Sequence, residues 1–195
     1  VDLANNAAKA SFARSAEQIR GNATHRIISP AGNIQNQDFA KLFNTPGMPL
    51  MAPVIDTPVR LLGSDAPLQL IGLDIIAERN FRRSLAGDGD NNIPLNEWLL
   101  QDDSLIVTAA AADKRQWALN QTISVYAPGN KSSPYRLTIK AISEVEQKSS
   151  ASFLFVDIAT AQKIRQQGNQ LSYIDVLLPE EDPQSAKILS KHLPA

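Results

Sequence analysis

The pattern of apolar and polar positions in residues 1–29 predicts a long amphipathic helix that runs directly into a strand. Apolar residues recur about once per helical turn, with charged and amide side chains between them, as on a helix with one buried face: Leu3, Ala7, Phe12, Ala16 and Ile19. Gly21 and Asn22 end the helix, because glycine adopts the left-handed C-terminal conformation without steric cost. Residues 24–28 then predict a strand.

The start of this helix lacks the usual initiation signals. No initiator Met, signal peptide or capping Ser or Thr precedes Val1. We therefore expect the 195 residues to be an excised part of a longer protein, with the first helix cut part-way along.

The remaining pattern predicts alternating helices and strands at both ends of the chain and a strand-rich middle. Pro53 and Pro58 interrupt the strand predicted for 52–62, which favours an edge strand or a bent strand. Gly129-Asn130 predicts a hairpin turn. Strands are predicted at 68–73, 104–108, 121–127, 135–145, 153–156 and 171–178; helices or helical turns at 38–43, 74–83, 95–100, 109–119, 158–167 and 184–193; and loops at 87–92 and 146–152.

This order predicts an α+β fold whose first unit is split. The two outer blocks are both strand–helix–strand units, which suits a single α/β lobe built from both chain ends. The middle block, 62–146, would be a second lobe inserted between 1–61 and 147–195. Both chain ends would then lie close together.

Composition narrows the classes of partner. Apolar residues make up 43% of the chain and charged residues 20%, as in ordinary globular proteins. The net charge is −1 without a basic patch, which argues against a nucleic-acid partner. The chain has no cysteine, so disulfides and thiol catalysis are excluded. Its apolar runs are far shorter than the ~20 residues that span a bilayer.

Candidate catalytic and metal-binding residues have weak support. A Ser-His-Asp triad would need His25 or His192, the only histidines; structural or surface roles fit both better. Two histidines without cysteine also make a zinc site improbable. Neither Asp102-Asp103 nor Glu180-Glu181-Asp182 predicts an acid–base pair, because neighbouring carboxylates at turns are typical of a solvated surface.

The alternation Asp88, Asp90, Asn92 resembles the start of a calcium loop. Ile93 and Leu99 occupy the positions that would need glycine and glutamate, so a solvated loop is favoured. No phosphate-binding glycine motif is present, and Trp98 and Trp117 suit the core. The sequence therefore predicts no catalytic, cofactor-binding or metal-binding residue, and no cofactor.

Several segments, in order, resemble the large extracytoplasmic domain of MacB/FtsX-type ABC transporter permeases. Asn120-Gln121 departs from the Gly-Asp usual in that family. The resemblance covers 1–195 and is carried by Val1-Asp2-Leu3-Ala4-Asn5, Arg20 to Ile27, Ala52-Pro53-Val54, Leu70-Ile71-Gly72-Leu73-Asp74, Phe81-Arg82, Ser104 to Thr108, Trp117 to Ile123, Phe155 to Gln162 and Ile174 to Pro179.

The resemblance implies a split porter-like lobe, 1–61 with 147–195, in which residues 1–20 are a stalk helix, and an inserted sabre-like lobe, 62–146. It implies a non-enzymatic domain of an integral membrane protein on the periplasmic side of the bacterial inner membrane. The domain would relay ATPase-driven motion or handle the transported substrate. The implied partners are a cytoplasmic ATP-binding subunit, a second permease copy, and a periplasmic adaptor or a lipid or lipoprotein substrate.

Two other functions stay open from the sequence. The chain could be a stand-alone extracytoplasmic module that binds a ligand or protein between two lobes, in which case the gene would encode no membrane span beside it. The third hypothesis, a hydrolase that uses His25, lacks the other members of a triad.

Overall fold

A computed structural model describes residues 21–64, 66–82, 103–130, 133–143, 153–166 and 168–193. The segments predicted as the stalk helix 1–20, the loop 87–92, the helical turn 95–100 and the loop 146–152 lie outside the described residues. Among those described, no helix is long and apolar enough to cross a membrane.

The described chain contains ten strands and five helices, which confirms the predicted α+β class. The strands are β1 His25–Ile27, β2 Ile34–Gln35, β3 Leu50–Leu61, β4 Pro67–Leu73, β5 Ser104–Thr108, β6 Thr122–Tyr126, β7 Tyr135–Ser143, β8 Phe153–Asp157, β9 Gln170–Leu171 and β10 Tyr173–Leu177. The helices are α1 Asn36–Phe43, α2 Ile75–Phe81, α3 Ala109–Arg115, α4 Ile158–Arg165 and α5 Pro183–His192.

Eight of these strands form one sheet in the order β1-β10-β3-β4-β8-β5-β7-β6. The first part of β3 pairs with β10, whereas Arg60 and Leu61 at its end pair with Tyr126 and Val125 of β6. Because β3 also pairs with β4, the strands β3, β4, β8, β5, β7 and β6 close into a six-stranded ring. Strands β1 and β10 extend the sheet beyond this ring.

Of the two alternatives predicted for the second strand, an edge strand or a bent strand, the edge position is wrong, since β3 has partners on both sides. Its two prolines are tolerated because each lies where one side of the strand is unpaired. Pairing with β4 begins at Val54, one residue after Pro53, and pairing with β10 ends at Val54, four residues before Pro58. The strand therefore changes partners along its length.

Hydrophobic clusters lie on both faces of the sheet. One hydrophobic cluster contains residues of all six ring strands, and helices α3, α4 and α5 add Ala112, Ala161 and Leu189 to it. A second cluster lies on the opposite face. Its members are Val54, Ile71, Leu73, Ile106, Ala141, Phe153, Phe155 and Tyr173.

Helix α3 ends earlier than the predicted 109–119. Gln116 adopts a left-handed conformation with φ 54°, and its backbone N–H returns to the helix, which stops there. Trp117 is consequently not on a helix. Its side chain is half-buried and packs against the hydrophobic cluster that contains residues of all six ring strands. The Arg115 guanidinium lies 5.2 Å from the centre of the Trp117 ring.

Helix α4 packs closely against the sheet at Gly72. We therefore expect any side chain at this position to lower the free energy of unfolding. A Cβ atom at Gly72 would lie 2.2 Å from Cβ of Ala161 and 3.3 Å from Cβ of Ile55. A methyl group at Gly72 would force helix α4 away from the sheet. We therefore expect Gly72→Ala to lower the free energy of unfolding by about 1–3 kcal/mol in urea titrations.

A second substitution identifies the cause of this loss. Adding Ala161→Gly removes the clashing methyl group, so the double variant should be more stable than Gly72→Ala alone, although glycine in a helix itself costs about 0.5–1 kcal/mol. A double variant less stable than Gly72→Ala would show that the clash is not the cause.

Candidate functional site

The strands contributed by the two ends of the chain lie side by side. His25, Arg26 and Ile27 of β1 pair with Val176, Asp175 and Ile174 of β10. Thr24 reinforces this pairing: its backbone N–H donates to the Val176 carbonyl at 2.9 Å, and its hydroxyl oxygen accepts the Leu178 N–H at 2.8 Å. Residues about 150 positions apart are thus joined at one edge of the sheet.

A buried ionic cluster connects this edge to helix α2. Asp175, which is fully buried, accepts a hydrogen bond from Arg26 Nε at 2.7 Å and one from Arg82 Nη2 at 2.5 Å. Arg82 Nη1 also donates to both carboxylate oxygens of Glu78 at 2.7 Å. We call these four residues the ionic cluster. It joins β1, β10 and α2 through charge-assisted hydrogen bonds.

Local sequence explains where helix α2 begins and why its end lies beside the segment that precedes β1. Asp74 caps its first turn by accepting the N–H groups of Ile76 and Ala77. At the other end, the Asn22 N–H donates to the Phe81 carbonyl at 2.9 Å. Gly21 has φ 58°, and a Cβ atom there would lie 2.4 Å from that carbonyl oxygen, so only glycine allows the approach.

Within the ionic cluster, burial and the neighbouring charges have opposite effects on the pKa values of Arg82 and Glu78. Burial alone would lower the pKa of Arg82, but the adjacent carboxylates of Glu78 and Asp175 raise it overall, so its charge is retained. Burial raises the pKa of Glu78, against the lowering effect of Arg82. Each charge therefore depends on its partners, and removing one leaves the others buried without compensation.

A second group of polar side chains, around Asp56 and Tyr173, adjoins the ionic cluster on the same face of the sheet. The Arg26 guanidinium lies 3.7 Å from the centre of the Tyr173 ring. Burial raises the pKa of Asp56 to about 7 despite the nearby Arg26 and Arg165, and it also raises the pKa of Tyr173. Asp56 Oδ1 and the Tyr173 hydroxyl are both buried without a hydrogen-bond partner.

This arrangement holds elements together and contains no catalytic constellation. The ionic cluster has arginines and carboxylates but no nucleophile next to a base. Among the residues that the structure describes, no three His, Cys, Asp or Glu side chains are placed to hold a metal ion.

Comparison of the sequence with known proteins identifies a permease relative. No protein-family profile matches the chain. The chain is 29% identical, over 201 residues, to an uncharacterized ABC transporter permease protein of Mycobacterium tuberculosis. This alignment covers 100% of the present chain but only 23% of the relative.

Two solved structures share the fold. The extracellular domain of the noncanonic ABC-type transporter YknZ from Gram-positive bacteria has a TM-score of 0.56 and 15% identity, and covers 86% of this chain and 94% of that one. The periplasmic region of MacB from Actinobacillus actinomycetemcomitans has a TM-score of 0.50 and 11% identity, covering 82% and 74%. The chain has the fold of MacB- and YknZ-type extracytoplasmic domains.

The resemblance to MacB-type permeases predicted from the sequence is therefore confirmed. Two of the residues that carried it have clear structural roles in this fold. Gly72 allows the close approach of α4, and Asp74 caps α2. Asn120, where the MacB/FtsX pattern has glycine, has φ 63°, a conformation that glycine adopts without steric cost.

The described residues that were weighed as catalytic candidates do not come together at one place in this MacB-type fold. His25 and His192 are exposed, and their ring nitrogens contact the Thr24 hydroxyl and the Ile188 carbonyl. Asp103 Oδ2 accepts the Thr138 hydroxyl at 3.0 Å, and Asp182 caps α5. Glu180 and Glu181 are exposed, and Asp88, Asp90, Asn92, Trp98 and Asp102 lie outside the described residues.

Sequence reasoning missed the ionic cluster. One signal was available: Glu78 and Arg82 are four residues apart, which places them on one face of a helix. A second was Asp175, a carboxylate inside an otherwise apolar strand, since a buried charge needs a partner. Neither signal identifies Arg26, which is brought to Asp175 by the register between β1 and β10.

Proposed function

We propose that this chain is the extracytoplasmic domain of an ABC transporter permease and that it relays motion driven by a partner ATPase. The observation that supports this most directly is the ionic cluster, which binds the strand from the start of the chain to the strand from its end and to α2. Similarity to a permease along the whole chain supports the transporter context. In this proposal, ATP is hydrolysed on a cytoplasmic subunit.

The cluster suits a relay because it would hold β1, from the start of the chain, and β10, from its end, together with α2 as one rigid unit. A displacement of the segment before Gly21 would act on β1 and, through Arg26 and Asp175, on β10 and α2. Buried charge-assisted hydrogen bonds resist such separation, since each bond to a charged group contributes about 1.5–3 kcal/mol. Motion would therefore pass into the sheet instead of being absorbed locally.

The lobe division belongs to the same proposal. We propose a stalk helix at 1–20, a porter-like lobe of 1–61 with 147–195, and a sabre-like lobe of 62–146. Strand β4 and helix α2 fall within 62–146, but β4 pairs with β3, and Arg82 at the end of α2 bonds to Asp175 of β10, so the two lobes would share one continuous sheet. A second permease copy, and an adaptor, lipid or lipoprotein on the periplasmic side of the inner membrane, would complete the assembly.

The relay can be tested in the full-length permease reconstituted with its ATP-binding subunit in lipid nanodiscs. A dye attached at Lys41→Cys, a side chain that is 76% exposed on α1, reports its distance from spin-labelled lipid headgroups by quenching. We expect ATP binding to change this quenching. Arg26→Met should reduce the change to roughly half or less, because it removes one charge-assisted bond of the cluster.

The matched control is Arg136→Met, which removes an exposed arginine on β7, away from the chain ends. It should leave the ATP-dependent change intact. Quenching that ATP does not alter, in a preparation that hydrolyses ATP, would refute the relay.

The alternative of a stand-alone binding module predicts a different gene. In that case the coding sequence would contain no membrane spans on either side of this segment, and no ATP-binding subunit would co-purify with the full-length protein. Apolar spans of about 20 residues on both sides would exclude it.

A further inference from the structure

A half-open cavity of about 920 Å³ lies at the seam where β3 and β6 close the ring. The turn after β3 and the turn after β6 form its sides. Its volume falls in the range of about 300–1,000 Å³ typical of small-molecule sites. The residues that define its character are Pro58, Arg60, Leu62, Pro67, Tyr126 and Pro128.

The apolar part of this lining is partly exposed to solvent. Leu62 is 62% exposed. Pro58, Pro67 and Pro128 add rigid apolar surface, and Tyr126 adds an aromatic ring with a polar tip. An acyl or alkyl chain would bury this surface without needing hydrogen bonds.

One cation stands among these apolar groups. Arg60 is the only charged residue among the described lining residues, and it takes part in none of the ion pairs that the described residues form. The neighbouring polar groups are already used within the turns: Ser64 Oγ accepts the Ala66 N–H, and Asn130 Oδ1 accepts the Ser133 N–H. The positive charge that a ligand anion would meet in the described lining is therefore that of Arg60.

We propose that this cavity binds a single-chain anionic amphiphile. The apolar chain would lie along Pro58, Leu62 and Pro67, and the carboxylate or phosphate would accept hydrogen bonds from the Arg60 guanidinium. This binding does not depend on the relay of motion, because it uses the β3–β6 seam and none of the residues of the ionic cluster. The two proposals can therefore fail separately.

Binding can be measured with the 195-residue chain and a fluorescent C18 polyene fatty acid, together with the corresponding alcohol. We expect saturable binding of the acid with a Kd on the order of 10–100 µM. The alcohol, which lacks the anion, should bind about threefold to tenfold more weakly. Competition with lyso-phosphatidylglycerol then shows whether a lipid phosphate is accepted as well as a free carboxylate.

Substitutions at Arg60 decide whether the anion is recognised there. Arg60→Gln should remove the preference for the acid over the alcohol, and Arg60→Lys should retain most of it. The control is Arg136→Gln, on the same sheet but outside the cavity, which should change the affinity for neither the acid nor the alcohol. Absence of saturable binding below about 1 mM would overturn the proposal. Equal binding of acid and alcohol, or an acid preference that survives Arg60→Gln, would do the same.

Discussion

Asp175→Ala should lower the free energy of unfolding by about 3–5 kcal/mol, because it leaves two arginines next to a buried, uncharged position. Arg82 is buried and loses one of its two carboxylate partners, and Arg26 loses the partner that joins β1 to β10. Urea-induced unfolding followed by circular dichroism measures the loss.

The control is an ion pair that water already surrounds. On α1, Lys41 Nζ lies 3.0 Å from Asp38 Oδ1, and both side chains are exposed. Asp38→Ala should therefore lower the free energy of unfolding by less than about 1 kcal/mol. A loss of under about 1 kcal/mol for Asp175→Ala would show that the two arginines are not left as uncompensated charges.

A triple replacement separates the cost of a broken cluster from its net contribution. Replacing Glu78, Arg82 and Asp175 together by Leu, Met and Leu removes the buried charges in one step, and leaves only Arg26, whose side chain is 18% exposed and can reach solvent. We expect this variant to be more stable than Asp175→Ala, since buried ion pairs are close to energetically neutral compared with apolar groups of similar volume. The cluster would then serve to fix geometry more than to stabilise the fold.

The fold was largely predictable from the sequence where local chemistry sets the structure. Residues 104–108 form β5 as predicted, because a short run of β-branched and aliphatic residues has few alternatives. Gly129-Asn130 lies in the turn that joins the antiparallel strands β6 and β7, also as predicted. The helices α4 and α5 lie within two residues of their predicted bounds, since Asp157 and Asp182 supply recognisable caps.

The sequence could not predict features that depend on distant parts of the chain. The two prolines of β3 would require an edge strand only if the same neighbouring strands paired with β3 along its whole length. In the structure β3 changes its pairing partners from β10 to β4 and β6, and this change depends on the complete sheet. The two-residue strands β2 and β9 pair across more than 130 positions and are too short for a periodic signal. Arg26 and Asp175 likewise meet only through the strand register.

The same dependence on tertiary structure governs how stability responds to pH at Asp56. The unfolded chain releases this proton at the ordinary pKa of 3.8, whereas burial in the folded protein raises the pKa to about 7. Between these values the unfolded state binds fewer protons than the folded state, so the contribution of Asp56 to stability falls as the pH rises and levels off above about pH 7. A shift of about three pKa units corresponds to about 4 kcal/mol.

Asp56→Asn removes this titration while keeping the shape of the protonated side chain. Other titrating groups are shared by both proteins and cancel in the difference. We expect the variant to match the wild type within about 1 kcal/mol near pH 4 and to exceed it by up to about 4 kcal/mol near pH 8.5, in urea titrations at both pH values. The groups that face Asp56, namely Arg26 from β1, Arg165 from α4 and Tyr173 from β10, stay in place.

Asp38→Asn, which changes an exposed carboxylate on α1, is the control and is measured at the same two pH values. A stability difference between Asp56→Asn and the wild type that is the same at both pH values would mean that Asp56 ionises normally in the folded protein. The ionic charges of Arg26 and Arg165 would then outweigh burial, and the unpaired Asp56 Oδ1 would have to be reached by water. The sign of the pH dependence thus decides which of the two effects dominates on this face of the sheet.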